Sequence, residues 1–220
     1  MVGGVRLTAK HIETLELQSV PPEGLVIESA LGDLRVSTGT GPTRLEVEVY
    51  GTAVGDGHVE LEGGTLVARS SKGGTVAIGA VTLHTSETLS RLELRTGTGD
   101  VEVRGVQVKQ ALVLETGMGD VTVADVGEPE TIQGSSGLGD LVIARGAFLS
   151  IELSSGMGDV SVESVTAGSA TLSSGMGDVR MERAKFEKLE ATTGMGDVEC
   201  IETTYGEGDL HTGLGSVDRN

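Results

Sequence analysis

Tryptophan is missing from this 220-residue chain, and phenylalanine, tyrosine and proline are scarce, at two, two and four residues. Without aromatic platforms, a groove for stacking sugar rings has little to be built from. A single cysteine, Cys200, excludes an internal disulfide, and a lone free cysteine is expected to be a buried thiol. Positive charge is also in short supply: 16 Lys and Arg stand against 33 Asp and Glu, for a formal net charge of −17. Such a surface repels phosphate backbones and anionic lipid, which excludes nucleic acid and leaves cations, basic proteins and basic surfaces.

No run approaches the roughly 18 to 20 apolar residues of a membrane span, and the N-terminal MVGGVRLTAKHIETLELQ lacks the apolar core of a signal peptide. The expectation is a soluble chain without direct membrane insertion. It is cytoplasmic by default, and envelope-associated if an export signal or anchor has been trimmed.

What the chain has in abundance is glycine, 35 residues, and much of it falls in one hexapeptide. TGTGDV, TGMGDV, SGLGDL, SGMGDV, SGMGDV, TGMGDV and TGLGSV follow one another from Thr96. Their fifth residues are Asp100, Asp120, Asp140, Asp159, Asp178, Asp197 and Ser216, at steps of 20, 20, 19, 19, 19 and 19. So constant a period marks a stack of coils, each burying its apolar face against the next.

Aligned on the GD step, apolar residues recur in three pairs per coil. Val101, Val121, Leu141, Val160, Val179 and Val198 head the first pair, with Val103, Val123, Ile143, Val162, Met181 and Cys200 two residues on. A second pair runs from Val106 and Val108 to Thr203 and Tyr205, a third from Leu112 and Leu114 to Gly208 and Leu210. Three inward pairs predict an all-β, right-handed parallel β-solenoid (β-helix) with 19-20-residue, three-strand coils, the winding following the usual hand of parallel crossovers. Thr98, Met118, Leu138, Met157, Met176, Met195 and Leu214, between the two glycines, are expected to plug the core at the corner. Glu128 and Gly134 depart from their columns in GEPETIQGSSG, so that coil is expected to bulge. RAKFEKLEATT has helix-forming composition, but the constant step on both sides assigns it to strand.

Residues 1-80 alternate without a clean period and read as irregular or larger β coils capping the regular coils of 81-220, in one continuous domain. VRL at Val5, LEL at Leu15, LVIES at Leu25, LEVEVY at Leu45, HVELEG at His58, TLVARS at Thr65 and TVAIGAVTLH at Thr75 read as strands. SALGDL, with Asp33, already carries the later motif.

No constellation amounts to an active site, so the chain is read as non-enzymatic, with no catalytic and no cofactor-binding residue. His11, His58, His84 and His211 lack ligand spacing, and the serines and Cys200 lack a fixed His partner. The chemical candidate is the aspartate column Asp100, Asp120, Asp140, Asp159, Asp178, Asp197. Carboxylates about 4.8 Å apart repel by about 0.9 kcal/mol per neighbour in water, and something must offset that. Either each Asp accepts hydrogen bonds from turn N–H groups or the Ser/Thr column, or a row of calcium ions lies between carboxylates and carbonyls. A calcium solenoid repeats GGxGxDxUx every nine residues, whereas this chain has GxGD every 19 and no second acid at fixed offset.

IESALGDLRV, VTLHTSETLSRLELRTGTGDVEVRGV and the serial LxLxTGxGDVxV coils resemble the bacterial putative-adhesin β-strand-repeat family, head GIN or domain of unknown function 4097. The resemblance implies a β-solenoid frequently attached to envelope or membrane-associated proteins, and brings no catalytic residues. The expected function is a rigid, adhesin-like scaffold that binds a protein or cell-envelope polymer. The alternative is a self-assembling structural protein like the bactofilins, joined by end-to-end self-association.

Overall fold

A computed structural model describes residues 7–53 and 55–220. Every regular element among them is a strand. The strand read at Val5 lies, apart from Leu7, outside the described residues.

The coils stack as the period requires. Val160 pairs with Val179 and Met157 with Met176, and the parallel register carries through Val101, Val121, Leu141 and Val198. About seven turns at about 4.8 Å per strand give a rod roughly 30 Å long before its cap is added. Strand 185–195 lies squarely in register, with Leu189 over Ala170 and under Gly208, so the helix-forming residues of RAKFEKLEATT are overridden by stacking.

The inward columns form one core. Val101, Leu112, Leu114, Val160, Val179 and Val198 are wholly buried, each such side chain contributing about 1.5–3 kcal/mol of transfer free energy. Where a column carries too small a residue, a neighbour fills the gap. A Cβ on Gly146 would overlap the Phe148 ring, one on Gly208 would meet the Tyr205 ring at 2.5 Å, and one on Gly134 would meet Leu153 Cδ2 at 2.8 Å. Phe148 and Phe186 are buried and Tyr205 half-buried, all on inward positions. Cys200 is buried too, and burial raises its thiol pKa.

Residues 125–130 have no strand, which is the expected bulge. Within it Glu128 faces solvent and Pro129 is buried. Pro129 takes the inward place here, so Glu128 does not belong to the column in which the alignment put it.

The corner after the first side turns through the left-handed region. Gly105 (φ 69°) occupies it in one coil, followed by Asp125 (54°), Arg145 (58°), Ser164 (55°), Arg183 (52°) and Glu202 (48°). This second column of corners has no constant residue type and leaves no motif. In coils 141–157 and 160–176 the strand hydrogen bonds run on through it.

At the N-terminal end, Leu25–Ser29 pairs in parallel with Leu89–Thr98 and Leu34–Thr38 with Val101–Arg104, a coil already in register. The next strands cover this coil differently. Val76–Thr85 runs parallel to Leu34–Thr38 on one edge and antiparallel to Thr43–Gly51 on the other, and Ala9–Leu17 pairs antiparallel with Thr43–Gly51. A hairpin of His58–Glu62 and Thr65–Arg69 lies beside them. The cap is thus a largely antiparallel sheet of strands not consecutive in sequence, and its outermost strand carries Lys10, Thr14 and Glu16 toward solvent around an exposed Ile12, charged and polar side chains that discourage edge pairing.

Two loops of this cap are joined by one carboxylate. Asp56, wholly buried, accepts from the Ser70 hydroxyl at 2.8 Å and from the backbone N–H of Ser71 and Lys72 at 3.1 and 3.2 Å. The Ser70 hydroxyl, then the N–H groups of Lys72 and Ser71, hold its pKa below the ordinary 3.8 against the opposing effect of burial.

Candidate functional site

The hexapeptide corner is the one place where the same polar groups recur on every coil, and each residue in it has a distinct task. The Ser/Thr hydroxyl is buried and donates to the glycine carbonyl of the coil before. Thr116 Oγ1 reaches Gly99 O at 2.9 Å, Ser136 Oγ reaches Gly119 O at 2.9 Å, Ser174 Oγ reaches Gly158 O at 2.8 Å and Thr212 Oγ1 reaches Gly196 O at 2.8 Å. The Ser/Thr column therefore forms a hydroxyl ladder from coil to coil. It satisfies a carbonyl that the corner would otherwise bury unpaired.

The second glycine needs its freedom. Gly139 sits at φ 147°, and a Cβ there would overlap the carbonyl oxygen of Gly119. The first glycine lets backbones close up, since a Cβ on Gly137 would stand 2.6 Å from Gly117 O.

That close stacking overturns one expectation. The corner residue does not plug the core: Met118 is 50% exposed, Met176 42%, Met195 46% and Leu214 71%, and Leu31 of the first coil 47%. Period-two counting from Leu114 and Thr116 puts Met118 inside. The corner interior, however, is closed by glycine backbone and the Ser/Thr hydroxyl, and the chain reverses its facing before Val121. The methionine is left outside between two residues that have no side chain.

The aspartates cap. Asp120 N–H donates to Asp100 Oδ1 at 3.0 Å, Asp140 to Asp120 at 2.8 Å, Asp159 to Asp140 at 2.8 Å, Asp178 to Asp159 at 2.8 Å and Asp197 to Asp178 at 2.8 Å. Asp33 begins the ladder by accepting from Asp100 N–H at 3.0 Å, and Ser216 N–H ends it on Asp197 at 2.7 Å. A hydrogen bond to a charged acceptor is worth about 1.5–3 kcal/mol. Even discounted for exposure, that offsets the neighbour repulsion of about 0.9 kcal/mol.

For calcium the row offers one uncommitted carboxylate oxygen per coil, against six to eight oxygen ligands. Among the described residues no three His, Cys, Asp or Glu side chains gather as a metal site. The histidines are dispersed, His11 on Gly57 O at 3.2 Å and His84 on Ser37 Oγ at 2.9 Å.

Arginine pairs with carboxylates on the flat faces and at the left-handed corner. Arg95 pairs with Glu28, Glu93 and Glu115, Arg145 with Asp125 through two oxygens, Arg180 with Glu182 and Glu199, and Arg183 with Glu163 and Glu182. The corner ladder has no such partner: among the described residues no ion pair reaches Asp100 or any later aspartate of the row. No described helix is long and apolar enough to cross a membrane.

Residues 127–219 match the family model Toastrack DUF4097. Solved structures share the fold along nearly the whole chain. A putative adhesin from Bacteroides fragilis is 18% identical, with 96% of this chain and 97% of that one covered and a TM-score of 0.65. A putative adhesin from Parabacteroides distasonis is 11% identical, with 96% and 97% covered and a TM-score of 0.54. A putative lipid binding protein from the same species is 12% identical, with 95% and 97% covered and a TM-score of 0.50. At these identities the likeness is one of fold. No curated protein matches the chain.

Proposed function

We propose that the chain, whose residues 127–219 match the Toastrack DUF4097 family model, is a non-enzymatic display rod, an adhesin-like module that binds a protein or polymer of the cell envelope. The observation that carries this reading is the register itself. Every outward position repeats once per coil on a backbone that neighbouring coils hold on both sides, so a weak contact made by one coil can be made again by the next. Multiplying weak contacts along a rigid scaffold raises affinity without any one strong site. Of the solved structures similar in fold, two are named putative adhesins and one a putative lipid binding protein, which supports a binding role.

The test is retention of the purified protein on cell-wall polymers and on envelope protein fractions. Retention on at least one supports the rod as a binding module, and passage through all of them removes the reading.

A further inference from the structure

Met118, Leu138, Met157, Met176, Met195 and Leu214 stand in single file on the rod, each 40% or more exposed and each between two glycines. In register from coil to coil, they form a continuous apolar ridge about 4.8 Å from step to step. An unbroken apolar strip of this length marks an interaction site, whereas Ile12 and Leu149 are exposed singly. Methionine is the side chain best able to mould itself to a partner, and four of the six methionines of the chain are here.

Beside the ridge, two residues on, runs the aspartate ladder. One oxygen of each carboxylate holds the next coil, and from Asp100 on no cation of the described residues pairs with the row, Arg35 reaching only Asp33 at its start. The partner therefore has to bring apolar side chains and positive charge together, side by side. A second copy of this chain would bring another −17 and another aspartate ladder, and an anionic lipid surface would be repelled. A helix matches the ridge lengthwise, since its turn of 5.4 Å departs from the coil step by only about 2 Å over three turns.

We propose that the ridge and the ladder together are a docking surface for a basic amphipathic helix of another protein, with apolar residues on the methionines and Lys or Arg over the aspartates. This rests on the reading of the chain as a binding module and names the face that binds.

The test measures fluorescence anisotropy of a labelled 14-residue leucine–lysine helix with the full chain. Its controls are an alanine–lysine helix of equal charge, a variant with Met157→Ser, Met176→Ser and Met195→Ser, and a variant with the same methionines changed to Leu. The ridge predicts saturable binding of the leucine–lysine helix, weakened at least tenfold by removing its leucines, at least tenfold by the serine variant, and little by the leucine variant. Undetectable binding, equal binding of the alanine–lysine helix, or equal binding by the serine variant overturns it. So does concentration-dependent self-association that the serine changes abolish, which would give the ridge to a second copy.

Thermal melting of the serine variant checks its fold; should it not fold, the single Met176→Ser change and the two peptides on the unaltered chain still decide. A serine variant that keeps its retention on envelope material removes the ridge while leaving the display rod in place.

Discussion

The Oδ1 atom of Asp140 accepts the backbone N–H of Asp159 at 2.8 Å, so the side chain of one coil is the cap of the next. The contact is intercoil, short and repeated from Asp33 to Ser216. It turns a column of like charges into a set of clamps.

Asp140→Ala leaves the Asp159 N–H without this acceptor and removes one clamp. The expected loss is about 1 kcal/mol, as for a lost helix cap, with Asp140→Asn costing less because its amide oxygen still accepts. In a chain of this size that is a fall of about 2–4 °C in melting temperature, read by circular dichroism.

Glycine is needed at one corner and dispensable at another. Gly139→Ala places a methyl group onto the Gly119 carbonyl and is expected to cost more than about 2 kcal/mol. Ser164 sits at φ 55° with a non-glycine side chain, so Ser164→Gly relieves about 1 kcal/mol of left-handed strain, less the entropy that glycine loses on folding. Opposite signs in urea unfolding are the expected outcome.

Acid should loosen the cap and the ion pairs at and beside the left-handed corner. Asp56 is held low by the Ser70 hydroxyl and turn N–H groups, Asp125 by Arg145, and Glu182 by Arg180. A carboxylate whose folded pKa lies below its unfolded value contributes its full stability above the unfolded value and loses it as pH falls through the folded one. Stability from these groups is therefore level above pH 5 and falls below the ordinary 3.8 to 4.5. Asp56→Asn should flatten the acid limb of a melting profile while lowering stability at pH 7.

Calcium should matter little. With one free carboxylate oxygen per coil, melting in millimolar calcium and in chelator is expected to coincide within about 1 °C; a rise of several degrees with calcium would revive the metal row.

The stack was legible because its signal is redundant. Asp100 to Ser216 marks every coil, and Val160 and Val179 fall on one column whichever neighbour is used to align them. Strand 185–195 was readable for the same reason, the period outweighing the local helix preference of Lys185 to Glu190. Two features of the corners were not. Met157 is apolar and has the parity of the core, yet close packing of glycine backbone turns it outward, a tertiary effect that period-two counting does not contain. The left-handed column of Gly105, Asp125, Arg145, Ser164, Arg183 and Glu202 has no shared residue type, so it exists only as backbone geometry. Asp56 was hidden likewise, because its partners Ser70 to Lys72 come from a loop 14 to 16 residues further on, with no shared motif.

The register between coils is tested most directly by pairwise cysteine cross-linking on the exposed side of two neighbouring strands. Thr171 pairs with Glu190, and Thr192 lies two residues further along the same strand. Thr171→Cys with Glu190→Cys should form an intramolecular disulfide on mild oxidation, adjacent Cα atoms being within the range a disulfide spans, while Thr171→Cys with Thr192→Cys should stay reduced. Cross-linking of the offset pair in preference to the aligned one would contradict the columns, and with them the ridge and the aspartate ladder.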